Sequence, residues 1–356
     1  MIHPYLVRRA IATLGFRAAQ TLGLVAPDAQ PTAEQRLADT LRSYQDTRRR
    51  NQGLQLEAAR NLERPPAVTP WGWLDFDHTF GGLVAGWLTV IGGRPGSGKT
   101  TLLLNLLDSL WSARVPTLYL GTETAAAVLV TQWAALRAGI PILDVFEGRL
   151  NGQQPALTAG VTELMGQDQV TFSQVTRLDL SRLSAEIVWA YEARKGPAPK
   201  VIILDHLHRV TQDREELEQL AQELKSLATE RDCAMVVAAQ LNRDTEQRRW
   251  DLYTPPSMGR YKGSAAIEEN ADVGLGLYRP LKLEVGSQQR RAVDQGRASL
   301  AELVDVGVLA CVCTKHRWRG DALNQTVRLR LADGRLRSLT IREPPWNAGD
   351  AWEPTT

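Results

Sequence analysis

The stretch WLTVIGGRPGSGKTTLLLNLLDSLW, residues 87–111, decides the fold class of this chain. It opens with WLTVI, an apolar run of the kind that forms a buried strand. It closes with LLLNLLDSLW, a leucine-rich run that reads as a helix. Between the two, Gly93 to Thr100 spells G-x-x-x-x-G-K-[ST]. Glycines at such a turn let backbone N–H groups converge on phosphate oxygens, and the helix N-terminus behind them adds a favourable dipole. Lys99 is placed to reach the β- and γ-phosphates of a nucleotide, and Thr100 to coordinate Mg²⁺. A chance glycine-rich turn would not come with a strand before it and a helix after it. The segment therefore predicts a nucleoside triphosphate site, with Gly93, Arg94, Pro95, Gly96, Ser97, Gly98, Lys99, Thr100 and Thr101 as its loop.

Outward from the loop, short apolar runs alternate with helical stretches. TLYL (117–120), VIILD (201–205) and AMVVAA (234–239) read as buried strands. Between the last two, Leu217, Leu220, Leu224 and Leu227 share one helical face. Buried strands separated by helices imply an α/β fold with a mostly parallel central sheet and right-handed crossovers. Farther on, Val327, Leu329 and Leu331 alternate with Arg328 and Arg330 before Asp333-Gly334, the pattern of a hairpin.

Two carboxylates stand where phosphate chemistry needs them. Asp205 ends the strand VIILD, where it would hold Mg²⁺ through the ion's water shell. Glu123 follows the strand TLYLG, at the sheet edge where a water could be activated. His206 and His208 lie nearby without a third ligand in sequence reach, so they read as packing or loop residues.

The bulk composition adds bounds. In 356 residues, 43% hydrophobic and 23% charged, the net charge is +2, so any nucleic-acid surface must be a local patch. Cys233, Cys311 and Cys313 lack metal-ligand spacing, are odd in number and sit in apolar runs, which suits a reduced core in the cytoplasm. The opening MIHPYLVRRAIATLGFRAAQTLGL is broken by Arg8, Arg9 and Arg17, and so is neither a signal-peptide core nor a membrane span.

Residues 1–30 read as an N-terminal helical segment. Over 31–70 the sequence predicts a linker helix, with Thr32 and Gln35 as a capping box, and then the proline-rich linker ERPPAVTP. The motor-like part follows over 71–342 and a Pro/Trp-rich tail over 343–356. The polar stretch 283–300 reads as a surface excursion.

Taken in order, these motifs resemble the DnaB-type replicative helicases, hexameric motors with a RecA-like P-loop core. WGWLDFDHTFGGLVAGWLTVIGGRPGSGKTTLLLN parallels the entry and phosphate loop of that family, and GTET (121–124) stands where the family has its S-L-E-M-like motif. VIILDHLHRV is similar to the metal-binding strand, and VVAAQLNRDTEQR to the Gln-Leu-Asn-Arg motif. KGSAAIEENADVGLGLYR (262–279) resembles the segment with the second DNA-facing loop, and TKHRWRGDALNQTVRLRL (314–331) the K-x-R finger and its strand. The resemblance covers roughly residues 71–340.

It implies a homohexamer with ATP between subunits and Mg²⁺ at Thr100 and Asp205. Lys99, Thr100, Glu123 as catalytic base and Asp205 would lie on one side, while Arg317, supported by Lys315, reaches in from the next subunit as an arginine finger. Gln240 would sense the γ-phosphate and move the loop behind it. Single-stranded DNA would meet Arg209, Arg214, Arg243, Arg260, Lys262, Gly263 and Ser264. A helicase loader and a primase are the further partners implied, and no membrane. The family's globular N-terminal domain contacts primase, whereas some seventy residues precede the motor-like part here. Two other functions fit the same residues: a RecA- or KaiC-like regulatory or recombination ATPase, and a helicase-derived accessory protein that does not unwind.

Overall fold

The computed structural model describes residues 67–339, apart from residues 167, 175–179, 193–195, 208–213, 242–254, 257–266, 268, 283–288, 290–291, 294 and 296–298. The segments read as helices over 1–30 and 31–62, the tail 343–356 and most of the 283–300 excursion lie outside the described residues.

The elements run β1 (Val68–Thr69), α1 (Leu74–Phe80), β2 (Leu83–Val84), β3 (Leu88–Gly93), α2 (Lys99–Ser112), β4 (Thr117–Gly121) and α3 (Ala126–Ala138). There follow α4 (Ile142–Phe146), α5 (Gln154–Met165), β5 (Val170–Gln174), α6 (Leu180–Glu192), β6 (Val201–Asp205), α7 (Arg214–Glu230) and β7 (Ala234–Gln240). The last are β8 (Val273–Tyr278), β9 (Val308–His316), β10 (Thr326–Ala332) and β11 (Arg335–Ser338). The end of the stretch read as a proline-rich linker is thus a strand, since β1 pairs with β2.

Among the described residues, nine strands form one sheet in the order β11-β10-β9-β8-β3-β7-β6-β4-β5. From β8 to β5 every pairing is parallel, whereas β9, β10 and β11 extend the sheet antiparallel. Side chains alternate across the central strands because strand periodicity is two. Ile91, Tyr119, Ile203 and Val236 face α2 and α3, in one core with Leu102, Leu106 and Trp133. Val90, Leu118, Leu204 and Val237 face the opposite layer, where Leu217, Leu220, Leu224 and Leu227 of α7 cover them. Burial on both faces explains why these strands read as unbroken apolar runs. Cys233, Cys311 and Cys313 are buried free thiols in these layers. The β10–β11 hairpin turns on Asp333 (φ 51°) and Gly334 (φ 76°), both in the left-handed region that a tight two-residue connection requires.

One polar residue ties α2 to the antiparallel extension. Asn105 Nδ2 donates to Thr101 O (2.9 Å) and Gly334 O (3.0 Å), while its Oδ1 accepts from Leu336 N (2.8 Å). On the same side, Asp77 of α1 accepts from Trp71 N (2.7 Å) and Gly72 N (3.2 Å), which fixes the chain's entry into the sheet. Gly72 has φ 93°, and a Cβ there would lie 1.8 Å from Ser109 Oγ, so the entry passes too close to α2 for any side chain.

Candidate active site

The parallel strands β3, β4, β6 and β7 deliver the loop residues to one edge of the sheet, the edge at which α/β folds bind ligands. β3 ends at Gly93, and the chain then turns through Gly96 (φ 73°) and Gly98 (φ 98°) into α2. A Cβ on Gly93 would lie 2.4 Å from Ser97 Oγ. Ser97 Oγ is buried and has no hydrogen-bond partner among the described residues. A buried hydroxyl without a partner, in a turn of glycines at a helix N-terminus, is chemistry that suits a phosphate oxygen.

Lys99 is buried at the head of α2, and its Nζ donates to Gly93 O (2.7 Å) and Arg94 O (3.0 Å). Burial pushes its ammonium down to about 8, while the charges of Asp205 and Glu123 pull it back up. The structure thus brings the lysine and both carboxylates of the sequence reading within electrostatic reach of one another.

Thr100 Oγ1 donates to Asp205 Oδ2 (3.0 Å), so the hydroxyl and carboxylate proposed for Mg²⁺ are direct neighbours. They fit one hard divalent cation with oxygen ligands. Tyr119, fully buried, donates its phenol O–H to the same Asp205 oxygen (2.9 Å). Burial raises the Asp205 carboxyl above its usual range, against the lowering effect of the Tyr119 and Thr100 hydrogen bonds. Thr122 Oγ1 lies 2.8 Å from Asp205 O and 3.2 Å from His206 O, joining the ends of β4 and β6. His206 has φ 92°, a conformation that a residue with a side chain seldom takes, and its Nε2 lies 3.7 Å from Glu123 Oε2. Glu123 itself is half exposed.

Gln240 is the last residue of β7 and pairs in register with Gly93 of β3. Lys315 lies in β9 opposite Gly274. Arg317 stands apart from the phosphate loop, at the other edge of the sheet. Its Nη1 pairs with Asp272 Oδ1 (3.1 Å), its Nη2 donates to Glu269 O (3.2 Å), and its N–H donates to Asp272 O (2.8 Å). Of the residues proposed for DNA, Arg209, Arg243, Arg260, Lys262, Gly263 and Ser264 lie outside the described residues, as does His208. Arg214 opens α7, and its side chain is also outside them.

Sequence reasoning passed over Tyr119, Thr122, Arg279 and Asp272. Arg279 follows β8 and donates from Nη1 to Val306 O (3.1 Å) and Val308 O (3.4 Å). A Cβ on Gly98 would lie 3.3 Å from Arg279 Nη2, so a second cation flanks the loop. The signal available for it was a lone arginine closing an apolar strand; for Tyr119 it was a hydroxyl inside one.

The model of the DnaB-like helicase C-terminal domain matches residues 69–318, the greater part of the chain. The chain belongs to that family. Among curated relatives of this DnaB-like chain, the replicative DNA helicase DnaB of Helicobacter pylori is 28% identical over 59% of the chain and 43% of its own length. The DnaB of Leifsonia xyli is 23% identical over 70% of the chain and 53% of its own length. The replicative DNA helicase DnaC of Bacillus subtilis is 22% identical over 74% and 56%, respectively. The chain therefore spans about half the length of the curated relatives it matches. A solved DnaB-like replicative helicase, described with its interactions with primase, superposes with a TM-score of 0.63 over 94% of this chain and 74% of its own, at 14% identity. A solved ATPase domain gives the same TM-score over 81% of this chain and 98% of its own, at 16% identity. The fold is the RecA-like ATPase fold of the DnaB-like helicases. No helix among the described residues is long and apolar enough to cross a membrane.

Proposed function

We propose that this chain is an ATP-driven motor that moves along single-stranded DNA in replication, as a homohexameric ring with its ATP sites between subunits. The observation that carries the reading is the separation of Arg317 from the phosphate loop. Asp272, its partner, exchanges hydrogen bonds with Leu88 at the start of β3, with Leu88 N donating to Oδ2 and Asp272 N to Leu88 O, each at 2.8 Å. The phosphate loop begins at Gly93, at the other end of that strand. The five steps between span roughly 17 Å at about 3.3 Å per residue. An arginine side chain does not cross that distance to its own nucleotide. Arg317 is about two-fifths exposed, so it is available to the nucleotide of a neighbouring copy.

In this reading the backbone N–H groups of the loop and Lys99 bind the β- and γ-phosphates. Thr100 and Asp205 hold Mg²⁺, which when bound neutralises charge shared by those phosphates. Glu123 takes the proton of the attacking water at a carboxylate oxygen. Gln240 touches the γ-phosphate, and Arg317 of the neighbouring copy stabilises the charge that develops in the transition state. DNA binding at Arg209, Arg214, Arg243, Arg260, Lys262, Gly263 and Ser264, a cytoplasmic setting, and a loader or primase as partner rest on family membership and on the relative solved with its primase contacts.

The test is subunit mixing. Arg317→Ala and Lys99→Ala proteins should each be nearly inactive alone, and mixtures should regain hydrolysis where an intact loop meets an intact arginine. No recovery at any ratio, with subunit exchange shown independently, removes the shared site. Filaments in place of six-fold rings with ATP would favour a RecA-like regulatory or recombination ATPase.

A further inference from the structure

Asp272 is 1% exposed, yet it carries a carboxylate with three partners from three parts of the chain. Oδ2 accepts from Leu88 N (2.8 Å), at the start of β3, and from Lys225 Nζ (2.7 Å), on α7. Oδ1 pairs with Arg317 Nη1 (3.1 Å). Lys225 Nζ donates in addition to Gly86 O (2.7 Å). One buried anion therefore stands between two cations and a backbone N–H, so it is compensated on every side.

We propose that Asp272 is a positioning residue for Arg317, holding the guanidinium in the orientation it needs to meet the nucleotide of the neighbouring subunit. The proposal rests on the reading of Arg317 as a finger acting between subunits. A guanidinium is a rigid planar fork with five N–H donors. Here one side of the fork is fastened, Nη1 by Asp272 and Nη2 by Glu269 O, which leaves its other N–H groups for a phosphate. An exposed arginine on a free stem samples many rotamers, and fixing it in advance removes that entropy from the transition state.

The turn that carries Arg317 is fixed from its other side by His316. Nε2–H donates to Phe80 O (3.1 Å), which leaves Nδ1 to accept from Trp318 N (3.3 Å) and Arg319 N (3.0 Å). His316 thereby shapes the backbone, and Asp272 aims the side chain. The lysine completes the arrangement, because a lone carboxylate buried to this degree would be drawn to the arginine alone. With Lys225 on Oδ2, the other oxygen is left to face Arg317. The phosphate loop of the same subunit, at the far end of β3, is not touched by this network.

The experiment is a double-mutant cycle of Asp272→Asn with Arg317→Ala, read as ATP turnover and as KM. An amide keeps the size of the side chain and one acceptor oxygen, and loses the charge that aims the guanidinium. Asp272→Asn should lower kcat about 10- to 100-fold, the range for a misplaced catalytic group, with KM for ATP little changed. In an Arg317→Ala background the same substitution should lower turnover no further, and mixing Asp272→Asn with Lys99→Ala protein should restore hydrolysis. An equal fall of turnover in both backgrounds, or a change confined to KM, would show that Asp272 acts through the strand and not through Arg317. Should Asp272→Asn unfold, Asp272→Asn with Lys225→Met removes the partly buried lysine charge along with its partner and carries the same test. If Arg317→Ala alone turns over at the wild-type rate, the shared-site reading itself fails. If Arg317→Ala is impaired and Asp272→Asn is not, this proposal alone is overturned.

Discussion

Gln240 and Gly93 are register partners across the parallel β3–β7 ladder, so the last residue of one strand stands beside the first glycine of the phosphate loop. Beyond Gln240, Leu241 is buried, and the chain then runs into the segment proposed to face DNA. An amide at this point can donate to a γ-phosphate and accept after its loss, without titrating. A carboxylate would repel the phosphate, and a lysine would hold the product. Gln240→Ala should therefore keep ATP binding and ring assembly while losing DNA-stimulated hydrolysis roughly 10-fold or more, the scale of one hydrogen bond to a charged group. Steady-state ATPase with and without single-stranded DNA decides it. Stimulation at the wild-type level would make Gln240 a structural strand end.

Lys99 and Glu123 should separate binding from turnover. Lys99 is buried with its Nζ bonded to the loop carbonyls of Gly93 and Arg94, and Lys99→Ala should weaken ATP binding roughly 10- to 100-fold and abolish hydrolysis. Glu123→Gln keeps the side chain's size but not its basicity, so binding should persist while turnover falls about 100- to 10,000-fold. Equilibrium binding of a labelled ATP analogue beside single-turnover hydrolysis distinguishes the two. Wild-type turnover in Glu123→Gln would reassign the base.

Asn105 offers a stability test away from the chemistry. It sits amid leucines in α2, and two of its three hydrogen bonds, to Gly334 O and from Leu336 N, join that helix to the backbone of the β10–β11 hairpin. Replacing it with leucine leaves Leu336 N–H without its acceptor in a buried place, at a cost of about 1 to 3 kcal/mol. Asn105→Leu should lower the urea midpoint accordingly without altering ATP affinity. An unchanged midpoint would mean that the hairpin is held by its apolar contacts alone.

The contrast between these residues shows what the sequence carried. Gly93 to Thr100, Asp205 and the strand cores were legible because each is a local pattern: a spacing, an apolar run, an acid at a strand end. Asn105 in LLLNLLD offered no local reason for its amide, because its partners are Gly334 and Leu336, brought near by the antiparallel extension. Asp272 was equally silent. In ENADVG it reads as an acid before a strand, and its partner Leu88 is 184 residues away. The strand order places β3 between β8 and β7, and no periodicity within either segment encodes that neighbour relation. Helices α3 to α5 and β5 were likewise not anticipated, since the stretch after GTET mixes alanine, leucine and polar residues with no sharp boundaries.

A last prediction concerns pH. Asp77 fixes the entry of the chain, and burial pushes its carboxyl up to about 6, against the lowering effect of the N–H groups of Trp71 and Gly72. In an unfolded chain the same group titrates near 3.9. A folded-state value above the unfolded one means that the native state binds the proton more tightly. The stabilisation from that proton is complete below about pH 4 and is lost as pH rises through about 6. A shift of about two units corresponds to roughly 3 kcal/mol at most. Asp77→Asn removes the titration while keeping one acceptor for the entry N–H groups. The stability of the wild-type chain relative to Asp77→Asn should therefore fall as pH rises from 4 to 7, whatever the other carboxylates do in both proteins. Thermal melts of the pair across that range measure it directly. A difference that stays flat would mean that the two backbone donors offset burial, and one that grows with pH that they outweigh it; either overturns the prediction.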